Sequence, residues 1–301
     1  MQTLPRHLVW VFLIMTFGWG FNWPMLKIGL AEMQPLHHRS LCLIGGAAGV
    51  IVIALARGHS LYVPRRDWLR LFVISMFNMA AWNVFAAYGI PLLASGRASI
   101  FAFSMPIWAT IFGFFLLREP LTARRILGLV LGMAGMLLLL GDETAAAGRS
   151  PTGALLMLGA ATSWGLAVVI IKRWPPSVGA WTLTAWQLII AGVPVLTCAL
   201  LFETGPFFPW QLSLRAALAV SFTLVVTFWI CQWAFMEIAL RAPTGVTSIA
   251  TLMTPVVGVF SAALVLGEEP QWQDYVALAL VLGAIATILP MPNLKRKAPA
   301  P

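Results

Sequence analysis

The chain has 301 residues, 60% of them hydrophobic and only 10% charged, with a mean hydropathy of +0.89. Soluble domains carry about 25% charged residues, so this composition excludes a molecule that faces water all round and points to one whose apolar side chains meet lipid. The net charge of +9 does not indicate nucleic acid, because the basic residues fall between apolar stretches and form no basic face interleaved with aromatics.

Ten apolar segments follow in chain order, at residues 8–28, 38–56, 68–89, 91–117, 122–140, 152–172, 179–202, 211–238, 242–267 and 272–290. Each is near the roughly 20 residues that cross a bilayer as a helix. Continuous apolar runs, rather than alternating ten-residue strands, select helices over a barrel, so the predicted fold is an all-α membrane protein. Turn signals separate the segments: Gly58 ahead of Tyr62-Val63-Pro64, Arg118-Glu119-Pro120, Gly148-Arg149-Ser150-Pro151, Pro175-Pro176, Gly205-Pro206 and Glu269-Pro270. No linker is long enough for a soluble domain. The first segment carries Trp19, Asn22 and Trp23 and lacks a small-residue cleavage pattern, so it is read as a retained helix rather than a signal peptide. Cys42, Cys198 and Cys231 lie within apolar segments at no metal or disulfide spacing and are expected to be buried thiols.

The sequence repeats. Trp19-Gly20 with Lys27 returns as Trp164-Gly165 with Lys172, a shift of 145, and Ser99-Ile100, Pro106 and Glu119 return as Ser248-Ile249, Pro255 and Glu268, a shift of 149. The chain divides into two copies, residues 1–147 and 148–301. Five spans per copy is an odd number, so the second copy enters from the opposite face, giving two inverted five-helix repeats around a central cavity. The basic residues set the orientation. With the N-terminus inside, the inner side holds Arg6, Arg57, Arg65, Arg66, Arg70, Arg118, Arg124, Arg125, Lys172, Arg173, Arg241, Lys295, Arg296 and Lys297. The outer side keeps Lys27, Arg39, Arg97, Arg149 and Arg215, which predicts that both termini are cytoplasmic. Lys27, Arg39 and Arg97 sit near span ends, within snorkelling reach of the interface. Inverted repeats are a recurrent design for alternating access, and this makes transport the leading expectation.

Two five-helix halves, Trp-Gly early in the first helix of each, and a fourth helix centred on proline and ending in an acidic turn resemble the drug/metabolite transporter superfamily. Within it the chain resembles the ten-helix bacterial branch with paired EamA-type repeats. Met105-Pro106 with Leu117-Arg118-Glu119, and Thr254-Pro255 with Leu266-Gly267-Glu268, carry this likeness. It runs from about Leu8 to Pro290 and implies export or exchange of a small metabolite through a central cavity in the cell's inner membrane. The tryptophan-rich spans are also similar to the YddG-type exporters, which implies aromatic and other neutral amino acids as substrates.

A zwitterionic amino acid needs dipoles for its charged groups and a flat apolar surface for its side chain. Ser75, Asn78 and Trp82 share a helical face, as do Trp19, Asn22 and Trp23, and likewise Trp229, Gln232 and Trp233. Ser104 pairs with Trp108 beside Pro106. The 149-residue shift matches Asn83 with Gln232 and Asn78 with Thr227. The candidate cavity residues are therefore Trp19, Asn22, Asn78, Trp82, Asn83, Ser104, Trp108, Trp164, Trp229, Gln232 and Trp233, with Pro106 and Pro255 as hinge candidates. Core packing and interhelical hydrogen bonding compete for each of these side chains. Trp10, Trp68, Trp174, Trp210 and Trp272 fit an interfacial belt, and Gly45, Gly46, Gly49, Gly128, Gly132 and Gly135 fit close helix packing.

No Asp or Glu falls mid-span, Glu237 coming nearest, and His7, His37, His38 and His59 lie at span ends or loops, where solvation is expected. This favours facilitated export over proton coupling. No paired carboxylates, HExxH motif or serine–histidine arrangement occurs within the spans, so no catalytic residue, metal or cofactor is expected. The expected partners are a small-molecule substrate and the lipid bilayer, around a single chain. A multidrug or nucleoside-type exporter of the same fold, or a channel, are the competing readings.

Overall fold

The computed structural model describes residues 6–145, 151–235 and 244–288, with side chains for 10, 13–144, 151–235 and 253–287. Among these residues the chain is helical and contains no strand. Glu237, Arg241, Arg149 and both tails lie outside the described residues.

The helices are α1 (Arg6–Glu32), α2 (Pro35–Ala56), α3 (Arg65–Leu92), α4 (Ser95–Ala102), α5 (Met105–Leu117) and α6 (Ala123–Ala145). They continue with α7 (Pro151–Arg173), α8 (Ala180–Phe202), α9 (Leu214–Phe235), α10 (Thr244–Leu266) and α11 (Trp272–Ile288). Among the described residues seven stretches are long and apolar enough to cross a membrane: α2, α3, the α4–α5 pair, Ala123–Thr144, α7, α8 and α9. Met253–Leu266 and Trp272–Thr287 are shorter apolar helices. The outer faces of α5, α8 and α10 leave Phe115, Leu200, Leu201, Phe202 and Leu264 largely exposed, which is tolerable only where the surroundings are themselves apolar.

Local chemistry sets the ends. Pro35 opens α2, where its missing N–H costs nothing, and the Glu203 carboxylate accepts the N–H groups of Leu36 and His37 at 2.9 and 2.7 Å. The predicted fourth span breaks in two. α4 stops at Ala102, and Pro106 sits in the first turn of α5. Pro255, its counterpart, lies inside the unbroken α10. The two prolines therefore act differently: one starts a helix and the other is accommodated within one. α5 ends at Arg118, whose φ of 55° is the one positive value at a non-glycine among the described residues. Its counterpart 149 residues on is Gly267, φ 67°, which takes the same left-handed turn without the Cβ strain.

The link between α2 and α3 (57–64) has eight residues and that between α8 and α9 (203–213) has eleven, while α2 is 22 residues long and α8 is 23. Those four residues are where the shift between copies grows from 145 to 149. Packing across the halves pairs like with like: α2 lies along α8, and α6 along α11. The unlike contacts come in reciprocal sets, with α1 against α9 and α10 and α7 against α3 and α4–α5. Glycines allow the closest approaches. A Cβ at Gly20 would fall 2.3 Å from Val257 of α10, and one at Gly165 would fall 2.8–2.9 Å from Trp108, Ala109 and Met105 of α5. Val257 and Trp108 are themselves 149 residues apart. One buried cluster, including Ile100, Phe101, Ile107, Leu139, Met157 and Val281, binds α4 and α5 to α6, α7 and α11, while another packs α2 on α8.

Two helices are not α-helical throughout. Met76–Ala81 in α3 and Thr223–Cys231 in α9 are wound as π-helix. They occupy matching positions in the two halves, since 76 plus 149 is 225. Cys42 and Cys231 are buried as expected, whereas Cys198 is exposed on the outer face of α8. His37 and His38, expected to be solvated, are instead buried. The helix begins at Pro35, so both belong to its first turn and pack inward.

Candidate functional site

A cavity opens between α1, α2, α3, α4, α5, α7 and α9, with an empty volume of about 880 Å³ that includes space continuous with solvent. Of the residues anticipated from the sequence, Trp19 and Asn22 reach it from α1, Asn78, Trp82 and Asn83 from α3, Trp164 from α7 and Gln232 from α9.

The π-helical stretches explain how one helix delivers so many polar groups to one wall. In an α-helix, residues five apart diverge by about 140° around the axis. In a π-helix the hydrogen bonds run i to i+5, so residues five apart come close to register. Asn78 and Asn83 are five apart, as are Thr227 and Gln232, and all four line the cavity. The rearranged backbone needs local partners. The Asn83 amide donates to the Met79 carbonyl at 2.8 Å, and the Ser163 hydroxyl of α7 donates to the Phe77 carbonyl at 2.5 Å. On the other side of the cavity the Thr223 hydroxyl donates to Asn22 Oδ1 at 2.8 Å.

Several polar atoms on the wall are buried without a hydrogen-bond partner among the described residues: Asn78 Oδ1, Asn83 Oδ1, Thr227 Oγ1, Gln232 Nε2 and the indole nitrogens of Trp23 and Trp164. Unsatisfied polar groups away from water cost free energy, and their convergence on one space marks a place for a polar ligand. Below them sits an aromatic cluster. Trp19 and Trp164, the two tryptophans of the duplicated Trp-Gly, meet edge to face with centroids 5.8 Å apart. Trp82 packs on Trp164 at 4.6 Å, and Phe235 approaches Trp19 at 5.3 Å.

Ser104, Trp108, Trp229 and Trp233 do not line this cavity, contrary to the sequence expectation. The Ser104 hydroxyl turns back on its own helix and donates to the Phe101 carbonyl at 2.6 Å. Trp108 fills the contact between α5 and Gly165 of α7. Trp229 lies against Gly49 and donates its indole N–H to the Gly45 carbonyl of α2 at 3.0 Å. Trp233 stacks on Trp181 of α8, centroids 5.0 Å apart. The π-winding of α9 rotates Trp229 away from Gln232, and Trp233, which follows Gln232 directly, lies about 100° round the axis from it. The sequence reading left out Trp23, Phe103, Phe228 and Phe235, and placed Arg39 at the membrane interface although it is buried on the cavity wall. The available signal for Arg39 was a charge only four residues past a helix-opening proline, inside an apolar run.

The second duplicated mark also pairs across the halves. Lys27 of α1 meets Glu268, just beyond α10, at 3.1 Å, and Lys172 of α7 meets Glu119, just beyond α5, at 3.6 Å. These are counterpart pairs under the two shifts, at opposite ends of the molecule, and they differ in tightness. Lys27 also donates to the Leu93 carbonyl at 2.8 Å, and Glu268 caps α4 by accepting from Ser95 and Gly96 at 2.8 and 3.2 Å. Glu119 is held more closely by Arg125, at 2.9 Å, than by Lys172. Arg97, near the start of α4, is buried as well. It lies among Asp142, Glu143 and Asp274 at 2.6, 2.5 and 2.6 Å, tying α4 to α6 and α11.

Comparison with known proteins agrees with this architecture. The chain is 27% identical over 90% of its length to an uncharacterized transporter, YoaV, of Bacillus subtilis, also covering 90% of that protein. It is 23% identical to proteins named probable amino-acid metabolite efflux pump from Salmonella typhimurium and Escherichia coli, over about nine-tenths of each chain. A crystal structure at 21% identity superposes with a TM-score of 0.69 over 94% of this chain and 96% of the other, showing a shared fold. The EamA-like transporter family matches twice, at residues 7–141 and 151–289, so the chain belongs to that family as a multi-pass membrane transporter.

Proposed function

We propose that this protein exports small neutral metabolites, aromatic and other neutral amino acids foremost, across the inner membrane by alternating access. In this reading the two family repeats are ten spans related by an axis in the membrane plane, with both termini cytoplasmic. The carrying observation is the pair of counterpart ion bridges, Lys27–Glu268 and Lys172–Glu119, one made tightly and the other loosely, at opposite ends of the molecule. Two equivalent latches that close in turn are what a two-fold switch requires. Their present inequality corresponds to a state shut at the Glu268 end, the outer end in this orientation.

The wall chemistry supports the substrate class. Amide, hydroxyl and indole groups without partners stand beside the Trp19, Trp82 and Trp164 rings, and among the described residues no Asp or Glu lines the cavity. That suits a ligand with a polar head and an apolar body better than a lipophilic cation. The relatives named as amino-acid metabolite efflux pumps point the same way. The test is counterflow in proteoliposomes with a panel of radiolabelled amino acids. Accumulation of phenylalanine, tryptophan or leucine is expected. If none accumulates while a lipophilic cation or a nucleoside does, the substrate assignment is wrong. Flux that does not saturate points to a channel instead.

A further inference from the structure

Arg39 is the one charged side chain on the cavity wall among the described residues, and it is only 2% exposed. Its Nε and Nη2 are buried without a hydrogen-bond partner, and no carboxylate of the described residues lies within ion-pair distance. The other deeply buried arginine, Arg97, shows what the fold does when a guanidinium is structural: three carboxylates surround it. A buried, unpaired guanidinium in an apolar setting is costly, and its planar fork of donors matches a carboxylate. We propose that Arg39 is the receptor for the substrate's carboxylate, so that the transported class is small monocarboxylates with an apolar or aromatic body, α-amino acids included.

The charge count argues for a monoanion. Among the described residues one cation faces the cavity, and neither a second basic side chain nor an acidic one accompanies it, so one carboxylate balances the wall whereas a phosphate monoester would overload it. The layout along the helices argues for the body. Glu32 and Pro35 flank the turn between α1 and α2; Arg39 lies four residues past Pro35 and Trp19 thirteen before Glu32. At 1.5 Å per residue the backbone positions are about 14 Å apart along the helices. On the same wall, level with the tryptophans, stand the unpartnered acceptors Asn83 Oδ1, beside Trp82, and Asn78 Oδ1, one turn earlier in the helix. Carboxylate at Arg39 and apolar body toward the tryptophans is the order the wall sets out.

This proposal rests on the transport reading above and is tested with L-phenylalanine, L-phenylalaninamide and 3-phenylpropanoate. In wild-type protein, phenylalanine and phenylpropanoate should exchange in counterflow and raise the thermal transition of the detergent-solubilised protein, while the amide does neither. R39Q should lower phenylalanine exchange at least tenfold and abolish the ligand-induced shift, yet leave the unliganded protein as heat-stable as wild type or more so, because an unpaired buried charge has been removed. R39K should retain part of the activity. A lower unliganded stability in R39Q shows a structural partner for Arg39 and overturns the proposal. So does wild-type exchange in R39Q, or equal exchange of phenylalanine and its amide, a result that leaves neutral-metabolite transport standing. Where R39Q does not fold, R39K and the wild-type discrimination against the amide decide. Failure of both carboxylates to exchange, with a lipophilic cation or nucleoside accepted, overturns the proposal and the substrate assignment together.

Discussion

Replacing Glu268 with glutamine removes the anion from the tight latch and leaves its size unchanged. The carboxylate holds Lys27 at 3.1 Å and accepts from the Ser95 and Gly96 amides. The Lys27 side chain is 33% exposed and that of Glu268 is 16%, so this pair falls between the 0–1 kcal/mol of surface bridges and the 3–5 kcal/mol lost on breaking a buried one. A net weakening of about 2 kcal/mol follows, which shifts a two-state equilibrium by roughly thirtyfold. The counterpart E119Q should weaken the other end by only about 0.5 kcal/mol, because Lys172 is 62% exposed and 3.6 Å away. The assay is labelling of a cysteine placed at Leu26, on the cavity wall, in a cysteine-free background, with a membrane-impermeant maleimide applied to either face of sealed vesicles. E268Q should raise the labelling rate up to about thirtyfold from the Glu268 face and lower it from the other. An unchanged rate, or an equal rise from both faces, would refute the latch.

Three further outcomes follow from packing and charge. G165A should lower the thermal transition, by about 1–3 kcal/mol in stability, because its methyl group would meet backbone atoms of α5 at 2.9 Å, whereas G141A, with nothing within 4 Å, should be neutral or slightly stabilising in the same melt. R97Q should destabilise by about 3–5 kcal/mol by stranding Asp142, Glu143 and Asp274, while any folded fraction keeps its substrate preference in a competition assay. W229F should lose the bond to the Gly45 carbonyl and about 1 kcal/mol of stability with no change in transport KM; a raised KM would return Trp229 to the ligand site.

Apolar run length was enough to locate the helices to within a few residues, because crossing a bilayer demands nearly uniform hydrophobicity. The boundaries moved where caps decide them, as at Pro35, three residues before the expected start at 38. Duplication was legible too, and with it the likelihood that Trp19 and Trp164 are equivalent. Their meeting in space was not. Pairing within α9 failed for a definite reason: Trp229, Gln232 and Trp233 share a face only if the helix has α periodicity, and no local residue announces a π turn. Arg39 was misplaced because sequence gives distance from a span end and says nothing of whether that end faces lipid or the interior.

The matching π stretches in α3 and α9 carry a historical implication. The distortion that turns Asn78 and Asn83 inward recurs at Thr227 and Gln232, as a feature of one unit would on doubling. A five-helix ancestor pairing with a second copy of itself would have faced every cavity residue with its twin. Such a homodimer cannot carry a single charge in a shared cavity; it must carry two or none. In the fused chain the counterpart of Arg39 under the 145-residue shift is Thr184, which is uncharged. Fusion thus made possible a lone cation, and with it a ligand held in one orientation instead of two.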